Sequence, residues 1–190
     1  MKKKILTLSI VLSFALTSFA QTSGFIESRN SFKAGSFYPH AWTSITSFQD
    51  TSKLLGVWSY GIVGQGWGEL LAGPAYRINA KSYWEMGPGI GFETGDSGKG
   101  MRYAAYLWQE SEKNTFLFNV EYSTLSSWYI LYYNYKIKNI GLGVYSETAV
   151  CTGPRFEWKP TKSLLLWTSY GYDFQSKNTG GIIALRWVGL

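Results

Sequence analysis

Wherever a strand-like segment of this chain carries two charged residues, both sit at the same parity. Glu69/Arg77, Glu85/Glu93, Arg102/Glu110 and Arg155/Glu157 are the examples. Successive side chains of a β-strand point to opposite faces, so the pattern describes a sheet with one charged face and one greasy face. The opposite parity is aromatic and aliphatic. It shows Leu70, Ala72, Tyr76 and Ile78 in one segment, and Tyr129, Leu131, Tyr133, Tyr135 and Ile137 in another. An ionised Arg or Lys facing lipid at mid-membrane costs about 2–4 kcal/mol, enough to force such a segregation. The expected class is all-β, an antiparallel up-and-down transmembrane β-barrel.

The first twenty residues read as a signal peptide. Lys2, Lys3 and Lys4 form a positive start, Ile5 to Leu16 an apolar stretch, and Ser18-Phe19-Ala20 a small-x-small cleavage site before Gln21. The apolar run is short for a membrane-spanning helix. Losing three lysines lowers the formal net charge from +6 to +3, so the basic balance argues little for nucleic acid. One cysteine, Cys151, excludes an internal disulfide and any multi-Cys metal site. Neither a cofactor nor a metal is expected.

Residues 21–53 form a Ser/Thr-rich leader, and residues 54–190 form the barrel. Strands are predicted near 54–64, 69–78, 82–93, 101–110, 115–123, 128–137, 140–149, 152–158, 164–173 and 181–189. Turn chemistry separates them at Gln65-Gly66, Asn79-Ala80-Lys81, Gly95-Asp96-Ser97-Gly98, Lys138-Asn139, Lys159-Pro160-Thr161 and Ser176-Lys177-Asn178. This gives about ten strands. Twelve is the alternative, because Ser31–Tyr38 and Ala41–Gln49 also alternate; the leader then holds two extra strands rather than a plug. Ala72-Gly73-Pro74-Ala75-Tyr76-Arg77 aligns, eighty positions on, with Thr152-Gly153-Pro154-Arg155-Phe156-Glu157. Proline lacks a donor for the ladder, so local interruptions are expected at Pro74, Pro88 and Pro154.

With the charges facing inward, the lumen-lining residues are Glu69, Arg77, Glu85, Glu93, Arg102, Glu110, Glu121, Lys136, Glu147, Arg155, Glu157, Asp173 and Arg186. Asn119 and Asn134 lie between them, and inward glycines, Gly87, Gly89, Gly91, Gly141 and Gly143, make room for long side chains. Threading the chain up and down places outward aromatics in two girdles. Tyr76, Trp84, Phe116, Tyr135, Trp158 and Trp187 fall at the rim nearer the N-terminus. Phe92, Tyr103, Tyr122, Tyr129 and Tyr172 fall at the opposite rim. Bilayer interfaces favour such rings, which are apolar in body and polar at the tip. Trp108 is an exception, falling on the charged face. A barrel of this size is filled by side chains, whereas open aqueous channels need about sixteen strands. The expected lumen is charged and largely filled.

These girdles and segregated charges resemble the small outer-membrane β-barrels of Gram-negative bacteria. The resemblance covers nearly all of the chain after residue 20, but the ending Arg186-Trp187-Val188-Gly189-Leu190 lacks the terminal aromatic common in such barrels. It implies location in the bacterial outer membrane, a structural or narrow-channel role, lipid as a partner, small solutes or ions as candidates for passage, and no enzymatic activity. Two other readings compete. In a secreted, lipocalin-like ligand-binding barrel the apolar face would lie inside, and parity alone does not say which face is inside. In an outer-membrane lipid-modifying enzyme the single histidine, His40, would be the general base for a serine, although no Gly-x-Ser-x-Gly signature occurs.

Overall fold

The computed structural model describes residues 21–33, 35–48, 54–78, 84–96 and 98–189. The expected signal peptide and the Asn79-Ala80-Lys81 turn lie outside these residues. The strands are β1 (Gln21–Lys33), β2 (Ser36–Phe48), β3 (Leu55–Gly64), β4 (Trp67–Arg77), β5 (Trp84–Gly95) and β6 (Gly98–Glu110). They continue with β7 (Asn114–Ser123), β8 (Ser127–Ile137), β9 (Ile140–Glu147), β10 (Cys151–Trp158), β11 (Leu164–Asp173) and β12 (Asn178–Val188). Each pairs antiparallel with its sequence neighbours, and β1 pairs with β12 to close a twelve-stranded barrel. Closure removes the exposed strand edges that would otherwise leave backbone donors and acceptors unpaired.

The leader therefore contributes β1 and β2. Here β1 begins at Gln21, ten residues before the alternation at Ser31 becomes readable. Most turns sit where the sequence puts them. Gly66 (φ 84°) turns the β3–β4 hairpin, Lys138 (φ 55°) the β8–β9 hairpin and Lys177 (φ 56°) the β11–β12 connection. The start of β1, the end of β12 and the turns after β6, β8 and β10 share one rim, the terminal end. The turns after β1, β3, β5, β7, β9 and β11 share the other, the far end.

The prolines interrupt the ladder as expected. Between β4 and β5 the pairing passes from Ala72↔Ile90 to Tyr76↔Met86, skipping the positions around Pro74 and Pro88. Between β10 and β11 it passes from Thr152↔Tyr172 to Arg155↔Ser169, skipping Gly153 and Pro154. Inward side chains take up the freed carbonyls. The Trp58 indole Nε1 donates to the Pro88 carbonyl (2.9 Å), and the Ser169 hydroxyl donates to that of Pro154 (2.8 Å). These interruptions lie six strands apart, across the barrel from one another, where the eighty-residue repeat puts them.

Candidate functional site

Closure decides which face is inside. Glu69, Arg77, Arg102, Glu121, Glu147, Arg155, Glu157, Asp173 and Arg186 are buried. Glu85, Glu93 and Lys136 are partly buried, and Glu110 stands at the terminal rim with its side chain 51% exposed. Tyr76, Trp84, Phe92, Tyr103, Tyr122, Tyr129, Tyr135, Trp158, Tyr172 and Trp187 are exposed on the outside, and Phe116 is half-buried there, its ring 6.1 Å from that of Trp84. A barrel with its apolar face inward does not fit this geometry, so the lipocalin-like reading is corrected: the apolar belt is the outer surface.

The inner charges meet in two networks. On the β4–β7 side, Arg102 pairs with Glu69 (3.0 Å), Glu93 (2.5 Å) and Glu121, and donates to the Ser126 hydroxyl (2.9 Å) in the far turn after β7. Asn119 Nδ2 donates to Glu121 (2.9 Å). Across the barrel, Glu27 holds Arg29 and Arg186 and accepts the Trp167 indole N–H (2.8 Å). Arg29 also lies 3.6 Å from Glu147, which accepts from Trp128 Nε1 (3.2 Å) and from the Tyr145 hydroxyl. Lys33 binds Asp173 (2.5 Å) close to the far end, and Arg155 binds Glu157 (2.6 Å) at mid-depth. A buried ion must be paired and hydrogen-bonded to offset the loss of water, and these partners supply that. The contacts of Arg102, Glu147 and Lys33 lie in the far half of the lumen, whereas Glu157 and Arg186 reach the terminal side.

The inner face is not simply charged. At mid-depth an aromatic belt lines the wall on both sides. Trp42, Tyr60, Trp58 and Tyr106 form one run of ring contacts, with centroids 4.8–5.9 Å apart. Trp108, Tyr132, Tyr145 and Trp167 form another, at 5.1–6.5 Å. Trp108 is therefore one member of the belt and not an exception. The arginines stack on it: Arg29 lies 3.9 Å from the Trp42 ring centroid, and Arg155 lies 3.7 Å from Trp167, the face-on arrangement in which a ring quadrupole attracts a cation. The Trp58 indole lies flat over Gly87 and Gly89. A Cβ on Gly89 would sit 2.4 Å from Trp58 Cζ2, so the glycines expected to make room for charged side chains make room here for a tryptophan.

On the terminal side of this belt the lumen opens into a cavity of about 420 Å³. Its deep wall is aromatic, with Trp42, Trp58, Tyr60, Tyr106, Trp108 and Tyr132. Its mouth carries charge from Glu110 and Glu112 near the turn after β6, Lys138 in the turn after β8 and Lys159 after β10. None of Arg102, Glu69, Glu93 and Glu121 lines it. The site is a vestibule whose floor meets the ion-pair network.

Sequence reasoning missed Glu27, Arg29 and Lys33, which lie in the leader, and the inner aromatics other than Trp108. Yet Glu27, Arg29 and Lys33 share one parity, and Tyr106 and Trp108 share that of Arg102 and Glu110, so the signal was present. His40, in register with Arg29 and Gly64, has its Nδ1 3.3 Å from the Tyr38 carbonyl oxygen. Cys151 is buried, with its thiol 3.8 Å from the Ser169 hydroxyl.

No protein-family model matches the chain, and no curated protein matches it in sequence. Solved structures do match. The KdgM porin, solved in complex with disordered oligogalacturonate, superposes with a TM-score of 0.61 at 14% identity, over 86% of this chain and 98% of that one. The NanC porin gives 0.55 at 11% identity, over 87% and 100%. At such identities the likeness is one of fold: this chain shares the closed antiparallel barrel of these porins.

Proposed function

We propose that this chain is an integral outer-membrane β-barrel acting as a narrow, strongly resistive channel for small solutes. In this reading residues 1–20 are a cleaved signal peptide, and export leaves Gln21, the first residue of β1, as the N-terminus. The outer aromatic rings contact the lipid interfaces, and the inner charges line the solute path. The observation that carries the reading is the segregation in a closed barrel: buried ion pairs within, exposed apolar side chains without. The porin fold supports it, as does the KdgM porin having been solved in complex with disordered oligogalacturonate.

The test is recovery in the outer-membrane fraction, N-terminal sequencing of the exported protein and conductance in planar bilayers. The expected results are heat-modifiable migration on detergent gels, an N-terminus at Gln21 and a conductance far below that of an open porin. Full solubility without detergent, or a large steady conductance, overturns the reading.

A further inference from the structure

The charges at the mouth of the vestibule are sorted by sign. Four carboxylates and four cations line the cavity, so it carries no net charge to attract or repel an ion as such. They are not mixed evenly. Glu85, Glu110 and Glu112 lie on β5, β6 and the turn that follows; Lys136, Lys138 and Lys159 lie on β8 and beside the turns after β8 and β10. Lys136 pairs with Glu110 (2.7 Å) across the two sectors, Glu85 is held by Arg77 (3.4 Å), and Glu157, the lining carboxylate that lies on β10 within the basic sector, is held by Arg155 (2.6 Å). An acidic arc thus stands beside a basic arc, and a dipole crosses the opening.

The floor adds a second observation. Four polar atoms of lining residues have no hydrogen-bond partner: the Trp42 indole N–H, the Tyr106 hydroxyl, Asn119 Oδ1 and Arg186 Nη2. Leaving a buried donor or acceptor unpaired costs about 1–3 kcal/mol, so such atoms mark where a partner is missing. Trp42 and Arg186 offer donors, Asn119 an acceptor and the Tyr106 hydroxyl either, and a peptide group presents one donor and one acceptor in return. Around them, Trp58, Tyr60, Tyr106 and Trp108 give an apolar wall suited to an aliphatic or aromatic side chain. The volume, about 420 Å³, falls among small-ligand sites of about 300–1,000 Å³.

We infer that the vestibule binds a zwitterionic solute of the short-peptide class. Its ammonium faces Glu85, Glu110 and Glu112, its carboxylate faces Lys136, Lys138 and Lys159, its apolar side chain lies against the aromatic wall, and its peptide group meets Trp42 and Asn119. An anionic saccharide meets a carboxylate arc it does not need, and a neutral one leaves the dipole unused. This inference does not depend on whether the lumen conducts, because it concerns a cavity open at one end.

The test is calorimetric titration of the full-length protein in detergent micelles with the dipeptide alanyl-phenylalanine, its N-acetylated form, its C-terminal amide, maltose and galacturonate. Heat-modifiable migration checks folding of each variant. The free dipeptide is expected to saturate one site, and capping either end is expected to weaken it about threefold to fivefold, as for contacts between partly exposed charges. In the K138E/K159E variant, whose changes are at exposed positions, dipeptide affinity is expected to fall about fivefold and the effect of the C-terminal amide to vanish. Capped forms binding as well as the free dipeptide, tighter binding of maltose or galacturonate, or no saturable dipeptide binding by folded protein would each overturn the inference. A silent bilayer recording with intact dipeptide binding would sink the channel reading alone.

Discussion

Replacing Arg102 by Met removes the cation that pairs with Glu69, Glu93 and Glu121 and keeps most of its volume. The guanidinium is 5% exposed and faces Glu69 at 3.0 Å, Glu93 at 2.5 Å and Glu121, whose side chains are 2%, 12% and 0% exposed. One such contact at 3 Å has a Coulomb energy of about 5 kcal/mol at an effective dielectric near 20. Desolvation of the ions offsets much of this, and breaking a buried pair by removing one partner costs about 3–5 kcal/mol net. The loss here belongs at the upper end, because three carboxylates are left facing one another. The assay is urea unfolding of the barrel reconstituted in lipid, with bilayer conductance measured on the same preparation. We expect a stability loss of about 4–5 kcal/mol and higher, cation-preferring conductance, because the carboxylates draw water and cations into the far half of the lumen. Adding Glu69→Gln and Glu121→Gln should restore most of the stability by removing the two most buried of the three stranded charges. A loss below about 1 kcal/mol, the scale of an exposed ion pair, with unchanged conductance would refute the view that this network seals the barrel.

Three other outcomes follow from the same geometry. Gly89→Val should cost about 1–3 kcal/mol in lipid unfolding through overpacking, because its Cβ meets Trp58 at 2.4 Å; pairing it with Trp58→Ala should recover part of the loss, and additive losses would disprove the contact. Leu131→Arg, at an exposed mid-strand position of β8, should cost about 2–4 kcal/mol in lipid and Tyr122→Arg, at the far rim, no more than about 1 kcal/mol; equal costs would contradict the proposed membrane depth. Cys151, with no exposed surface, should react with a maleimide only after unfolding, and rapid labelling of the folded barrel would show that β10 opens locally.

Why some of this was legible in the sequence and some was not follows from particular strands. In β8 the outer positions are Tyr129, Leu131, Tyr133 and Tyr135 and the inner ones include Asn134 and Lys136, so the period of two is plain and the strand Ser127–Ile137 matches its expectation within a residue. In β1 the outer positions include Gly24, Ser28 and Asn30. With little apolar signal to alternate against, the charges of Glu27 and Arg29 were not read as a strand face. The inner tryptophans other than Trp108 were missed for another reason. An aromatic ring suits both a lipid interface and a packed lumen, so ring chemistry alone does not assign it, while parity beside a charge does.

By itself the sequence determined the side-chain alternation of most strands, the separation of ionised from apolar residues and the positions of the turns. These are local properties, written within ten or so residues by a two-residue period and by turn chemistry. Tertiary structure decided which face is inside, because concavity belongs to a closed sheet and not to a strand. It also decided which charges meet. Glu27 and Arg186 are 159 positions apart and become neighbours only when β1 pairs with β12. The same closure gathers strand ends distant in the chain around one rim, where Glu85, Glu110 and Glu112 come to face one vestibule with Lys136, Lys138 and Lys159.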